Sequence, residues 1–208
     1  MSTELLVTTF VTLFVVIDPV GLAPLFVALT QGMDAAERRR VALRAIAVAF
    51  GLLTVFGLAG EPLLRAIGIG MPAFRISGGI LLFLMAVDML FEKRSERREK
   101  RRTEVQPDPS VFPLAMPLIA GPGALAAMIL LTSKNSGDVG ALVAVHAVLV
   151  VVLALTYALF RAGGLIERLL GNTGVVVVTR LLGILLAALA VQFVLDGLRE
   201  VGLLAAAT

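Results

Sequence analysis

The chain has 208 residues, of which 59% are hydrophobic, a mean hydropathy of +0.99 and a formal net charge of +3. Its repeated runs of about 20 apolar residues are each long enough to cross a bilayer, which makes it an integral membrane protein and leaves no room for a soluble domain of ordinary size. It contains no cysteine, so disulfides, thiolate metal centres and thiol redox chemistry are excluded, and its basic residues lie between the apolar runs, which points to membrane topology rather than to nucleic acid.

The first span is expected over Leu5 to Leu29. The residues before it, Met1-Ser2-Thr3-Glu4, lack the basic region of a secretory leader, and no small-residue cleavage site precedes Asp18, so the run reads as a retained span. Its middle carries Ile17-Asp18-Pro19-Val20-Gly21, followed by Pro24. Proline removes a backbone donor and clashes with the preceding turn, so the helix is expected to break there, at a depth where lipid satisfies no freed amide or carbonyl. An unpaired carboxylate at that depth costs about 2.5 to 3.5 kcal/mol. Two readings of Asp18 stand: a carboxylate that binds a proton or a substrate amine, or a cap on the amides of Val20 or Gly21.

Arg38, Arg39, Arg40 and Arg44 flank the start of the second span, Val41 to Gly60, and the third runs from Phe74 to Phe91 with Arg75 at its start. The polar stretch from Glu92 to Ser110 holds seven basic residues from Lys93 to Arg102. It is expected to prolong the third helix until Pro107 and Pro109 stop it, and to act as a topology determinant, with anionic lipid headgroups as the alternative partner. The fourth span, Val111 to Leu131, contains Pro113, Pro117 and the run Ala120-Gly121-Pro122-Gly123, a second break. The fifth, Val139 to Phe160, holds the lone His146, which suits a hydrogen bond in helix packing better than a metal site. In the sixth, Val175 to Leu198, Arg180 lies one turn inside, and Gly183, Ala187 and Ala190 share a face that permits close approach of a neighbour. Ser77 and Gln192 can bond across helices or to a substrate, and Asp88 and Asp196 fall near span ends.

With six crossings, fourteen of the 18 Lys and Arg fall on the connections of one side. The positive-inside rule then puts that side in the cytoplasm and both termini outside. The halves resemble each other: Asp18-Pro19-Val20-Gly21 aligns with Gly121-Pro122-Gly123-Ala124, Leu29-Thr30 with Leu131-Thr132, Arg65 to Gly68 with Arg168 to Gly171, and Arg75 to Leu82 with Arg180 to Leu186, at offsets of 102 to 105. The chain therefore reads as one transmembrane domain, residues 1–208, with repeat 1 over about 1–91, a basic loop 92–110 and repeat 2 over about 111–208. Three spans per repeat make the second copy inverted. The expected fold is all-α, a 3+3 inverted repeat whose first and fourth helices are broken near the midplane, which is transporter architecture.

The candidate substrate site is accordingly Asp18, Pro19, Gly21, Pro24, Gly121, Pro122 and Gly123, where exposed amides and a half-helix dipole suit a carboxylate and exposed carbonyls suit an ammonium. The alternative is that the prolines only kink packed helices. Arg75 and Arg180, at matched positions, are read as snorkelling to headgroups or as gates, Arg75 with Glu61 and Arg180 with Glu167 as possible partners. No phosphate loop, metal cluster or nucleophile-base pair appears, so no cofactor, no ATP coupling and no enzymatic activity are expected.

The runs FVVIDPVGLAPLFVALT from Phe14 to Thr30, FRISGGILLFLMAVDMLF from Phe74 to Phe91 and PLAMPLIAGPGALAAMILLT from Pro113 to Thr132 resemble, in this order and over nearly the whole chain, the MarC family of bacterial membrane proteins. Some members are described as transporters of small neutral amino acids such as glycine and alanine, and the family is grouped with six-span exporters of the LysE type. The resemblance implies a bacterial inner-membrane secondary transporter of a small neutral amino acid, coupled to an H+ or Na+ gradient, with membrane lipid and a small molecule as its partners. Its Asp-Pro-x-Gly and Gly-Pro-Gly runs fall on Asp18 to Gly21 and Gly121 to Gly123. The alternatives are export of another small metabolite, or a membrane protein that handles a hydrophobic substrate without ion-coupled transport.

Overall fold

The computed structural model describes residues 3–91 and 108–203; the basic loop expected over 92–110 thus falls almost wholly outside the described residues. All regular structure among the described residues is helical: α1 (Thr3–Ile17), α2 (Pro19–Leu29), α3 (Ala35–Ala66), α4 (Met71–Leu90), α5 (Ser110–Ile119), α6 (Pro122–Ser133), α7 (Val139–Arg161) and α8 (Gly163–Glu200). Five helical stretches are long and apolar enough to span a bilayer, and the bent pair α5 and α6 raises the number to six when it is taken as one span.

The spans differ from expectation where polar ends or special backbone decide. Helix α3 runs well beyond Val41 to Gly60. Asp34 caps it by accepting from the amides of Ala36 and Glu37 at 2.7 and 2.8 Å, and the Glu37 carboxylate returns a bond to the Asp34 amide at 3.0 Å. At 32 residues it is about 48 Å long, more than the roughly 30 Å hydrocarbon core, so its charged first turns lie outside the apolar layer. Helix α8 is interrupted at Gly171, whose φ of 60° and ψ of 179° suit only glycine, leaving Thr173–Glu200 as the apolar span.

The two breaks also differ. Asp18 sits between α1 and α2 with φ 54° and ψ 63°, the left-handed region that Asp and Asn tolerate best. Its amide still donates to the Phe14 carbonyl at 3.0 Å and its carbonyl accepts from Leu22 at 3.0 Å. Those bonds stitch the interruption, and Thr3–Leu29 continues as one 27-residue span. The stretch α5 is irregular, with non-helical backbone at Phe112, Met116 and Pro117 and wide turns in which Leu114 donates to the Pro109 carbonyl and Ala120 to the Ala115 carbonyl, each five residues back. Pro113, Pro117 and Pro122 remove three donors from this stretch, and α6 departs from α5 at 56°.

The broken spans are central and the intact ones wrap them. In the first span 61% of the apolar stretch is buried, against 28 to 39% in the four unbroken ones, and α6 is buried over most of its length. Helix α3 packs on α5 and α6, α7 packs on α1 and α2, and α4 lies along α8. The Thr132 hydroxyl on α6 donates to the Gly57 carbonyl of α3 at 2.6 Å. The rings of Phe26 on α2 and Phe160 on α7 stack with centroids 4.5 Å apart.

Small residues set the closest approaches, as expected for membrane helices. A Cβ on Gly79 would stand 2.8 Å from the Ala190 carbonyl oxygen, and one on Gly183 would stand 3.3 Å from that of Ala86, so α4 and α8 run antiparallel. The small face expected around Gly183 and Ala190 is therefore in use. Elsewhere Gly60 of α3 abuts Ile129 of α6, and Gly163 abuts Val27 and the Ala23 carbonyl of α2.

Candidate functional site

At the first break, Asp18 is fully buried and Pro19 is buried beside it, while Gly21 and Pro24 are half-buried. Proline at the first helical position has no amide to leave orphaned, and the Gly21 amide donates to Asp18 Oδ1 at 3.1 Å. The capping reading of Asp18 is therefore realised in the geometry. A carboxylate can hold a helix amino end and still exchange a proton or accept from an amine, because each oxygen has two acceptor sites.

At the second break, Gly121 is extended, with φ −75° and ψ 169°, and no side chain caps α6. The first backbone bond there runs from the Leu125 amide to the Gly121 carbonyl, so the amides of Gly123 and Ala124 are the usual orphans of a helix start. Both residues are buried, and a Cβ on Gly123 would stand 2.6 Å from Met85 Sδ of α4. Pro122, unlike Pro19, is exposed. The arrangement offers an uncapped positive helix end at one break and a buried carboxylate at the other.

Arg75 and Arg180 do not join the breaks. Arg75 pairs with Glu200 at 2.6 Å, and the suggested partner Glu61 instead pairs with Arg65 one turn along α3. The physical reason is the α4 and α8 register: Gly197 packs on Pro72 and Ile76, which carries Glu200 over the start of α4. Arg75 precedes Leu82 and Met85, which touch Gly123, by seven to ten residues, or about 10 to 15 Å of helix. Arg180 is exposed near the other end of the same helix pair, three residues before Gly183; the Glu167 side chain lies outside the described ones.

Several polar side chains act locally rather than across helices. Gln192 donates to Asp196 at 2.8 Å and Ser77 to the Phe74 carbonyl at 3.0 Å, each within its own helix. The His146 Nδ1 lies 2.8 Å from the Leu142 carbonyl, a hydrogen bond along α7 in keeping with packing. No cluster of three metal-ligating side chains occurs among the described residues.

Sequence reasoning passed over Thr9 and Thr12. Both are fully buried, stand one turn apart on α1 and face the interior with hydroxyls that have no partner among the described residues. Their signal was present, as hydroxyls at helical spacing two turns before Asp18 in an otherwise apolar run. They extend the polar character of the first span toward its start.

The two ends of the bundle also differ. At the end carrying the basic residues of α3, Arg44 pairs with Asp108 and closes a small cavity of about 280 Å3 between α3 and the start of α5. The Ser110 hydroxyl, the Ser110 amide at 3.0 Å and the Arg44 guanidinium hold the Asp108 carboxyl below the usual carboxylate range. At the opposite end a larger cavity of about 680 Å3 lies between α3 and α6.

Residues 3–202 match the model of the family described as MarC family integral membrane protein. A membrane protein of Archaeoglobus fulgidus is 40% identical over 92% of this chain and 91% of its own length. The membrane protein YvbG of Bacillus subtilis is 36% identical over 96% of both, and the inner membrane protein YhgN of Escherichia coli is 33% identical over 93% and 96%. No solved structure matches the chain.

Proposed function

The chain belongs to the MarC family of integral membrane proteins, and from that premise we propose that it is a secondary transporter that moves a small neutral amino acid, such as glycine or alanine, across the bacterial inner membrane. The observation that carries this reading is reciprocal packing between the halves. Gly79 meets Ala190 and Gly183 meets Ala86, and an offset of 104 residues exchanges one contact for the other. Gly60 meets Ile129 and Gly163 meets Val27, related within one residue by an offset of 103. Contacts that swap under exchange of the halves are what an inverted 3+3 repeat produces, and rocking one repeat on the other gives alternating access around fixed central spans.

The chemistry of the breaks suits a zwitterion. The uncapped amides at Gly123 and Ala124, at the positive end of α6, favour a carboxylate. The Asp18 carboxylate favours an ammonium, and it is also the residue suited to carry a coupling proton or to hold Na+. The glycines admit a ligand close to the backbone. Basic residues concentrated on one side support a cytoplasmic location for the odd-numbered connections and an outer location for both termini. The printed name of the Escherichia coli relative supports the inner membrane.

The test is uptake of labelled glycine and alanine into proteoliposomes under an imposed proton or sodium gradient. Saturable, gradient-stimulated flux is expected. Absence of saturable flux across a broad amino acid panel, with monodisperse protein reconstituted, would overturn the proposal.

A further inference from the structure

The cavity of about 680 Å3 at the end opposite the basic turns of α3 is not isolated. It shares Leu58 and Leu142 with a second cavity of about 500 Å3, so the two form one groove along α3, the end of α6 and α7. Its two parts have opposite character. Glu61, Arg65, Thr132, Ser133 and Ser136 border the first part. Leu58, Val139, Val143 and Val150 wall the second, and all four are exposed on the outer surface of the bundle.

The dimensions match a lipid. From Val139 to Val150 the trough follows α7 for eleven residues, about 16 Å at the helical rise, which is close to half of the roughly 30 Å hydrocarbon core and so to one leaflet. Along α3, Arg65 lies seven residues past Leu58, about 10 Å toward the end of the bundle, so the charges cap the apolar trough as a headgroup caps its chains. The charges are also of both signs. The Arg65 side chain is 71% exposed and the Glu61 side chain 14%, and they pair with each other. An arginine fork at the surface matches a phosphate diester, and a recessed carboxylate flanked by serine and threonine matches a primary ammonium.

We propose that this groove is a binding site for one phospholipid with a phosphoethanolamine headgroup, its phosphate on Arg65, its ammonium on Glu61 and one acyl chain against Leu58, Val143 and Val150. The site is distinct from the two breaks, because Thr132 and Ser133 lie at the far end of α6 from Gly123, and it stands whether or not the protein carries amino acids. Exchange of the Glu61 and Arg65 pair for headgroup contacts satisfies both charges at once, which a quaternary choline, lacking N–H donors, does not do for Glu61.

Native mass spectrometry tests this on full-length protein equilibrated in mixed micelles with equal amounts of palmitoyl-oleoyl phosphatidylethanolamine, phosphatidylcholine and phosphatidylglycerol. One retained phosphatidylethanolamine is expected, enriched roughly fivefold over either competitor, a difference of about 1 kcal/mol. Glu61→Gln should abolish the preference over phosphatidylcholine, Arg65→Gln should lower retention of all three, and Val143→Trp, on an exposed face, should lower retention by filling the trough. Arg199→Gln, a charge change elsewhere at the same end, should leave retention unchanged. Soluble glycerophosphoethanolamine, which has the head without the chains, should not displace the lipid. Retention indifferent to headgroup, preference for phosphatidylglycerol, or unchanged retention in both Arg65→Gln and Val143→Trp would overturn the proposal.

Discussion

At Asp18 the helix is interrupted and the apolar stretch continues as one span; at Gly121 α5 gives way to α6 with a turn of 56°. One break is stitched by backbone bonds on either side and capped by its own carboxylate, with its proline buried. The other is preceded by an irregular, kinked stretch, has no side-chain cap and leaves its proline exposed. The two breaks therefore differ in what they present. The first break contributes a charged group held in fixed geometry, and the second contributes a bend with free amides, so the two halves have similar packing and unlike chemistry.

Charge at the first break is expected to matter most. Asparagine caps a helix about as well as aspartate, so Asp18→Asn should fold and melt close to the parent while reducing amino acid flux in proteoliposomes by roughly tenfold or more. Asp18→Ala removes the cap as well and should cost about 1 kcal/mol more in stability, read by thermal unfolding in detergent. Equal flux in Asp18→Asn and the parent would reduce the first break to a structural cap and erase the chemical difference between the halves.

Packing should respond similarly in the two halves, with a graded difference. Gly79→Val forces a side chain against the Ala190 carbonyl, and overpacking of this kind costs about 1 to 3 kcal/mol. Gly183→Val meets the Ala86 carbonyl from slightly farther away and should cost less, by the same unfolding measurement. A large effect at one and none at the other would break the equivalence of the halves.

The second break should be tunable by geometry. Gly123→Ala presses on Met85 Sδ, the movable part of a flexible side chain, and should lower flux by roughly threefold; Met85→Ala should restore much of it, with the coupling read from the double-mutant cycle. Additive losses would mean that Gly123 does not act through this contact.

The smallest effect should come from the ion pair at the basic end. Because the folded-state pKa of Asp108 is lowered, its contribution to stability is present above the ordinary carboxylate value near pH 4 and is lost as the pH falls through the lower folded value. Asp108→Asn should therefore melt slightly below the parent at pH 7, and the two should converge under strong acid. The pair is solvent-exposed, so the difference is small.

Most of this frame is legible in hydropathy and proline placement. The runs that become α4, α7 and the apolar part of α8 need only length and composition, and Pro19 and Pro122 announce their breaks. The length of α3 was hidden because its first turns carry Glu37 and three arginines, which hydropathy reads as loop although a capping box makes them helix. That the first span continues through its break was legible in its apolar length; how it does so was hidden, because it depends on Asp18 adopting a left-handed backbone that leaves both flanking hydrogen bonds intact. The partner of Arg75 was hidden because it follows from the register of α4 on α8, a tertiary quantity that no local pattern encodes. The breaks themselves were legible; their unlike capping was only partly so, through the acid at position 18 and the glycine that answers it.

The absence of native cysteine makes the central claim directly measurable. Single cysteines placed at Val20, Gly21, Gly121 and Ala124 in reconstituted protein can be challenged with a membrane-impermeant thiol reagent, with and without alanine. Reaction is expected at positions in both breaks, and slower reaction at both when alanine is present, as a single ligand bridging the two breaks requires. Reaction at neither break, or reaction at both that alanine leaves unchanged, would contradict a shared substrate site.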